Sequence, residues 1–224
     1  MAGSPRCTRS LVLAIVLSAP SSHADEPEWL RRYNHALRQL WSEVYAGGGE
    51  TLYCAAPFGR DKGSAVNAEH VFPMSWAANE LPCRSRRRCR LSSPRFNRME
   101  RDLHNVYPAL ARINRARGAS AFGEVAGEER RFGNCDFEVA DRRVEPRPEV
   151  RGNIARAIFY MAWRYGVPVY PRHGRLLLRW HGEDPPDAEE RMRNEDIARL
   201  QGGRNPFIDN PARAAELEFR RPTR

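Results

Sequence analysis

Four cysteines, Cys54, Cys83, Cys89 and Cys135, most narrow the folds open to this chain, because the residues before them read as an export leader. Arg6 and Arg9 introduce the apolar run Leu11 to Leu17, and small residues ending in Ser22-His23-Ala24 precede Asp25. Charge, apolar stretch and small residues in that order are the pattern of a signal peptide, here spanning 1–24. The fifth cysteine, Cys7, belongs to the leader. An even number of cysteines in an oxidising compartment favours two disulfides. Four cysteines admit three connectivities. Nearness makes Cys83 to Cys89 a natural local bridge and leaves Cys54 to Cys135 as a long one. A four-thiolate zinc site is the rival, but spacings of 29, 6 and 46 positions contain no Cys-x-x-Cys knuckle.

Nothing after Asp25 supplies the roughly 20 apolar residues of a spanning helix, so the expected mature chain, 25–224, is soluble and periplasmic or secreted. Its length suits one domain. Loss of Arg6 and Arg9, with no acid, takes the formal charge from +9 to +7, which attracts a polyanion. Lys62 is the only lysine. An arginine excess of that kind reflects codon bias as readily as phosphate contacts, so charge alone points only weakly to nucleic acid.

Trp29, Leu30, Tyr33, Leu37, Leu40, Trp41 and Val44 recur at helical spacing between Pro27 and Gly47, predicting a helix over about 27–46 whose aromatic stripe packs into the core. Residues 65–72 form the best early strand candidate, with a helix over Met74 to Leu81. The arginine-rich stretch 82–98 reads as a loop pinned by a bridge. A mainly helical stretch follows over 97–117, interrupted at Pro108 and ended by Gly118. A second strand is expected within Phe132 to Val144. Val150, Ile154, Ile158, Met161 and Tyr165 mark one face of a core helix stopping at Gly166. Two further helices are expected at about 171–181 and 187–201, the second opened by Asp187 with Glu190 in capping-box position.

Glu69-His70 ends an apolar run just before Pro73. Phosphodiester hydrolysis needs an activated water, relief of charge on phosphorus and stabilisation of an alkoxide leaving group. One hard cation serves the last two needs. Magnesium takes oxygen ligands and keeps several waters, so one carboxylate and one amide carbonyl suffice as anchors. Glu69 and Asn114 can supply these, and a neutral His70 can accept the proton of water. Neighbouring side chains on a regular strand point to opposite faces, so convergence of Glu69 and His70 requires the strand to break here. On these two residues alone, an ordinary surface Glu-His pair is the plainer reading.

Several segments carry a resemblance in order along the chain. They are Leu52-Tyr53-Cys54, Glu69-His70-Val71-Phe72-Pro73, Met99-Glu100-Arg101-Asp102-Leu103-His104-Asn105 running on to Pro108 and Asn114, Phe132-Gly133-Asn134-Cys135, Gly152-Asn153-Ile154-Ala155-Arg156 through Tyr160-Met161, and Gln201-Gly202-Gly203-Arg204-Asn205-Pro206-Phe207. Together they resemble the endonuclease I family of exported bacterial nucleases, which have a ββα-metal active site. The resemblance implies that Glu69 and Asn114 bind magnesium, that His70 is the general base, and that Glu100 is a further catalytic acid touching the metal through its outer shell. It also implies that Arg86 holds the scissile phosphate, with Arg84, Arg87 and Arg88 as alternates. A Gly-Glu-Val-Asn run usual in the family is Ala109 to Asn114 here, with the Asn at its expected offset. Asp102 is expected to steady a helix or to brace the site from behind its ligands, His104 and Asn105 to orient Glu69 or His70, and Gly202 to Phe207 to close the last helix. These ligand types also admit manganese or calcium.

The expectation is therefore a single α+β domain, helix-rich, with a small ββα-metal core. It would be a monomer that cuts DNA, and RNA as a further substrate, without sequence preference, leaving 5′ phosphates. The rivals are an exported basic protein that binds DNA without cutting it, and a zinc hydrolase using His70, His104 and Asp102.

Overall fold

The computed structural model describes Met1 and residues 26–127 and 129–220. The expected leader, Met1 apart, lies outside these, as does Cys7. The amphipathic N-terminal stretch folds as α1 (Glu28–Gln39) and runs on through a π-helical turn, Leu40–Val44, burying Ala36 and Leu40. A short antiparallel pair follows, β1 (Gly49–Glu50) with β2 (Pro57–Phe58). Gly48 turns the chain into it at φ 94°, and a Cβ there would fall 2.1 Å from the Phe58 carbonyl oxygen.

At the centre of the first half of the chain is the antiparallel pair β3 (Val66–His70) and β4 (Val106–Leu110), in register from Val66 opposite Leu110 to His70 opposite Val106. Between them lie α2 (Met74–Asn79), α3 (Arg86–Ser92) and α4 (Pro94–Glu100). Directly after β4 comes α5 (Ala111–Arg117), which packs on both strands and completes a ββα unit. Gly118 ends α5 at φ 55°.

This arrangement corrects one expectation and sharpens another. Residues 82–98 are not a loop. Ser85 caps α3 by accepting from the Arg88 N–H, and Ser93 caps α4 by accepting from Phe96, with Pro94 in the first turn where its missing N–H is harmless. Residues 97–117 are mainly helical and interrupted at Pro108, as expected, but the interruption is a paired strand, β4. Pro108 is accommodated opposite Ala68 in this pair, its carbonyl turned away from β3 to accept from the Leu52 N–H at 2.8 Å.

A three-stranded sheet comprises β5 (Ala121–Phe122), β6 (Phe137–Ala140) and β7 (Arg143–Pro146), with β7 central, parallel to β5 and antiparallel to β6. The strand expected within 132–144 is thus confined to β6 and the start of β7. Next comes α6 (Arg151–Tyr165), whose Ile154, Ile158 and Met161 lose almost all contact with water, each gaining on the order of 1.5–3 kcal/mol by burial. Gly166 stops it in the left-handed conformation. Then α7 (Pro171–Glu183), α8 (Ala188–Gln201) and α9 (Pro206–Asp209) wrap around it. Asp187 caps α8 through the Glu190 N–H, but the Glu190 carboxylate turns to Arg156 in a fully buried ion pair instead of closing a capping box.

The main core surrounds α6, while a smaller one joins α1, the start of β4 and α8 through Leu40, Leu103, Val106 and Ile197. The molecule is helix-rich α+β. Among the described residues no helix is long and apolar enough to cross a membrane.

Candidate active site

His70 is the last residue of β3, and its ring is fixed from two sides. Nε2 donates to the Glu100 carbonyl at 2.8 Å, and Tyr33 of α1 stacks over the ring at 6.1 Å between centroids. A carbonyl can only accept, so the proton sits on Nε2 and Nδ1 keeps its lone pair. Burial pushes the imidazole down to about 4, outweighing the Glu100 carbonyl, while Arg86 pushes the same way. The ring is therefore neutral at neutral pH. The α1 aromatic stripe, expected to serve only the core, thus supplies a wall of this site.

Glu69 is the neighbour of His70 on β3, and the Arg86 charge reaches both residues. The register runs through both residues and stops with His70, the break expected from Pro73 and the helix that follows it. Just beyond, the Val71 N–H donates to the Asn105 carbonyl and the Asn105 side chain brackets Phe72, accepting from its N–H at 2.7 Å and donating to its carbonyl at 3.0 Å. The Tyr53 hydroxyl donates to Glu69 at 2.8 Å, and Arg117 of α5 lies 3.4 Å away while also donating to the carbonyls of His70 and Val71. Burial raises the Glu69 carboxyl above its usual range, with Arg117 opposing.

Asn67 lies two residues before Glu69 and so on the same face. Its Oδ1 accepts from the Asn114 amide at 2.9 Å, and the Ala68 carbonyl accepts from the same nitrogen at 3.2 Å. These two bonds hold the Asn114 nitrogen against β3 and leave its Oδ1 outside them. A desolvated carboxylate and an oriented amide oxygen are the donor set of a hard, oxygen-seeking cation, and the residues fit magnesium on that ground.

On α3, Arg86 and Arg90 stand one turn apart and share the Glu100 carboxylate, at 2.6 and 2.8 Å. Arg90 also stacks over Trp29 and Tyr33. Arg86 keeps 43 % of its side-chain surface open, and its charge favours deprotonation of Glu69, His70 and Tyr33 alike. Arg84 instead donates to the Asn79 carbonyl, and Arg87 and Arg88 are exposed on other faces of the helix. Glu100 is 1 % exposed, and its carboxylate is held by both guanidiniums.

Asp102 caps the turn Leu103–Asn105 and accepts from the hydroxyls of Tyr160 and Tyr165 at 3.0 and 2.7 Å. His104 turns away from Glu69 and His70, its Nε2 donating to the Gly203 carbonyl at 2.8 Å. That contact ties the Gly202 to Phe207 segment to the turn before β4, and the bond His104 makes is to Gly203 and not to Glu69 or His70. His70, His104 and Asp102 are thus committed to different partners. Among the described residues no three His, Cys, Asp or Glu side chains converge as for zinc. The cysteines pair as Cys54–Cys135 and Cys83–Cys89. Arg117, Arg90 and Tyr33 were given no site role from sequence. Only the four-residue step from Arg86 to Arg90 could have signalled one of them, and that required reading 86–92 as a helix.

The Endonuclease I family model matches residues 33–212. An extracellular deoxyribonuclease of Aeromonas hydrophila is 33 % identical, over 89 % of this chain and 96 % of its own length. A periplasmic deoxyribonuclease of the same organism is 31 % identical, over 89 % and 93 %. An extracellular ribonuclease of Bacillus subtilis is 39 % identical over 52 % of this chain and 46 % of its own length. With the family match covering most of the sequence and these relatives aligned along it, the chain belongs to the endonuclease I family.

Proposed function

We propose that this protein is an exported endonuclease that hydrolyses phosphodiester bonds of DNA, and also of RNA, without sequence preference. His70 is its general base, and a magnesium ion is held by Glu69 and Asn114. The observation that carries the reading is the His70 ring, fixed by its Nε2 on the Glu100 carbonyl with Nδ1 left to accept a proton. The deoxyribonuclease and ribonuclease names of the relatives support the substrate class, and their extracellular and periplasmic descriptions, with two disulfides here, support export.

His70 Nδ1 takes the proton of a water aligned on the phosphorus. Arg86, steadied by Glu100, donates to a non-bridging oxygen, where a guanidinium fork makes strong charge-assisted bonds. Arg117 and Tyr53 keep the Glu69 carboxylate in place. When bound, magnesium would neutralise charge on the phosphate and the departing oxygen. The 3′ oxygen leaves, so the products carry 5′ phosphates. Contacts to phosphate carry no sequence information, hence the lack of sequence preference.

The test is incubation of the mature protein with supercoiled plasmid in magnesium or in EDTA, beside His70→Ala. Cutting in magnesium by the wild type only, with release of 5′ phosphates, is expected. An intact plasmid with the wild type in magnesium would overturn the reading, and equal cutting by both proteins would remove His70 as base.

A further inference from the structure

An open cleft of about 1230 Å³ runs between α2, the start of α7 and the edge of the three-stranded sheet. It exceeds the roughly 300–1,000 Å³ of small-molecule sites. Arg142, Arg143, Arg172 and Arg175 line it. All four are exposed, and none of their side chains makes a hydrogen bond or ion pair with another described residue. The wall holds two carboxylates, of which Glu124 is engaged by Arg179 at 2.6 Å, leaving Glu80. So many unneutralised guanidiniums around one concavity favour a polyanion.

The same wall carries aromatic surface. Tyr170, just before α7, is 55 % exposed, and Trp76 of α2 stands edge-on to Phe72, 5.7 Å between centroids. The cleft adjoins the catalytic pair. Phe72 follows His70 by two residues, and Phe122, also in the wall, lies under the Arg117 guanidinium that flanks Glu69.

We propose that this cleft is a second substrate site, holding an unpaired stretch of nucleic acid while a bond elsewhere on the strand is cut at His70. The arginines take the phosphates, and Tyr170 and Trp76 stack bases. An unpaired strand is favoured over a duplex because the aromatic surface lies inside a concavity, which splayed bases can enter and stacked base pairs cannot. For why the strand is held there, the inference rests on the nuclease reading.

The test compares the wild type with Arg172→Glu/Arg175→Glu and with Tyr170→Ala, all at exposed positions, with thermal melting to confirm an unchanged fold. Binding is read by fluorescence anisotropy in EDTA, using a labelled oligothymidine of about 30 nucleotides, longer than the roughly 4–16 that a single-strand-binding fold covers. The arginine variant should bind about tenfold more weakly, with the slope of log affinity against log salt reduced by about 1.4 for two lost phosphate contacts. Tyr170→Ala should weaken binding with the slope unchanged. In magnesium, both variants should raise KM for the long strand about tenfold at constant kcat, and cut a strand of about six nucleotides as the wild type does. Unchanged binding, equal impairment on short and long strands, or equally effective competition by duplex at the same phosphate concentration would each overturn the inference. If the wild type cuts neither strand, the nuclease reading fails, and the anisotropy measurement still decides whether the cleft binds.

Discussion

Glu100 acts on the site through two different groups, its carbonyl fixing the His70 tautomer and its carboxylate holding Arg86 and Arg90. Arg86→Ala should lower kcat about 100-fold with little change in KM, as removal of one transition-state donor does. Glu100→Gln keeps the carbonyl and loosens only the arginines, so it should cost about 10-fold alone and almost nothing when added to Arg86→Ala, since residues acting as a unit are non-additive. Additive losses would show instead that Glu100 has a role of its own. His104 gives a stability prediction. Burial holds it at about 4, against an ordinary 6.5, and His173 likewise. The unfolded chain therefore takes up these protons first, and stability should be full above about 6.5 and fall as pH drops toward 4, by up to about 1.4 kcal/mol per unit and per histidine. Melting temperatures from pH 8 to 4 check this, and His104→Phe should flatten part of the decline. At this scale the sequence displayed residue types at family offsets. It hid Arg117, because among 37 basic residues no single arginine stands out, and its importance comes from packing beneath two carbonyls.

The helices read from apolar spacing, α1, α6, α7 and α8, lie close to where the sequence set them, because each must bury a continuous face. The failures were local. Val106 to Leu110 is too short and too apolar throughout for periodicity to separate strand from helix, and Pro108 looked like a helix break when it needed only an outward-facing position. In 82–98 the capping serines were present, but the arginines concealed a helix whose buried residue is a single disulfide cysteine, Cys89. The two bridges should separate experimentally. Cys83–Cys89 closes a loop of six positions and Cys54–Cys135 one of 81, so on chain entropy their removal should cost about 2 and about 4–5 kcal/mol respectively. Serine at Cys83 and Cys89 should therefore depress activity more than melting temperature, by freeing α3 and with it Arg86. Serine at Cys54 and Cys135 should do the reverse. Equal ratios of the two effects in both variants would contradict this division.

Across the whole molecule, charge is buried where distant elements meet. Arg156 of α6 and Glu190 of α8 are paired with both side chains fully enclosed. Removing one partner strands the other, so Arg156→Met alone should cost about 3–5 kcal/mol, while Arg156→Met with Glu190→Leu should recover much of that loss. Denaturant titration of the three proteins decides it. A second enclosed arginine, Arg193 of α8, lies 3.8 Å from the centre of the Tyr107 ring and donates to the carbonyls of Leu103 and Val106, where the chain enters β4. Every residue assigned to hydrolysis lies before Gly118, yet the strand opposite His70 is fastened by a side chain from the last part of the sequence. During synthesis, then, a chain that has emerged only as far as α7 already carries all of its cutting residues and still lacks the bolt that aligns them. A chain ended after α7 should therefore leave supercoiled plasmid intact, and a cleavage assay on that truncation checks it.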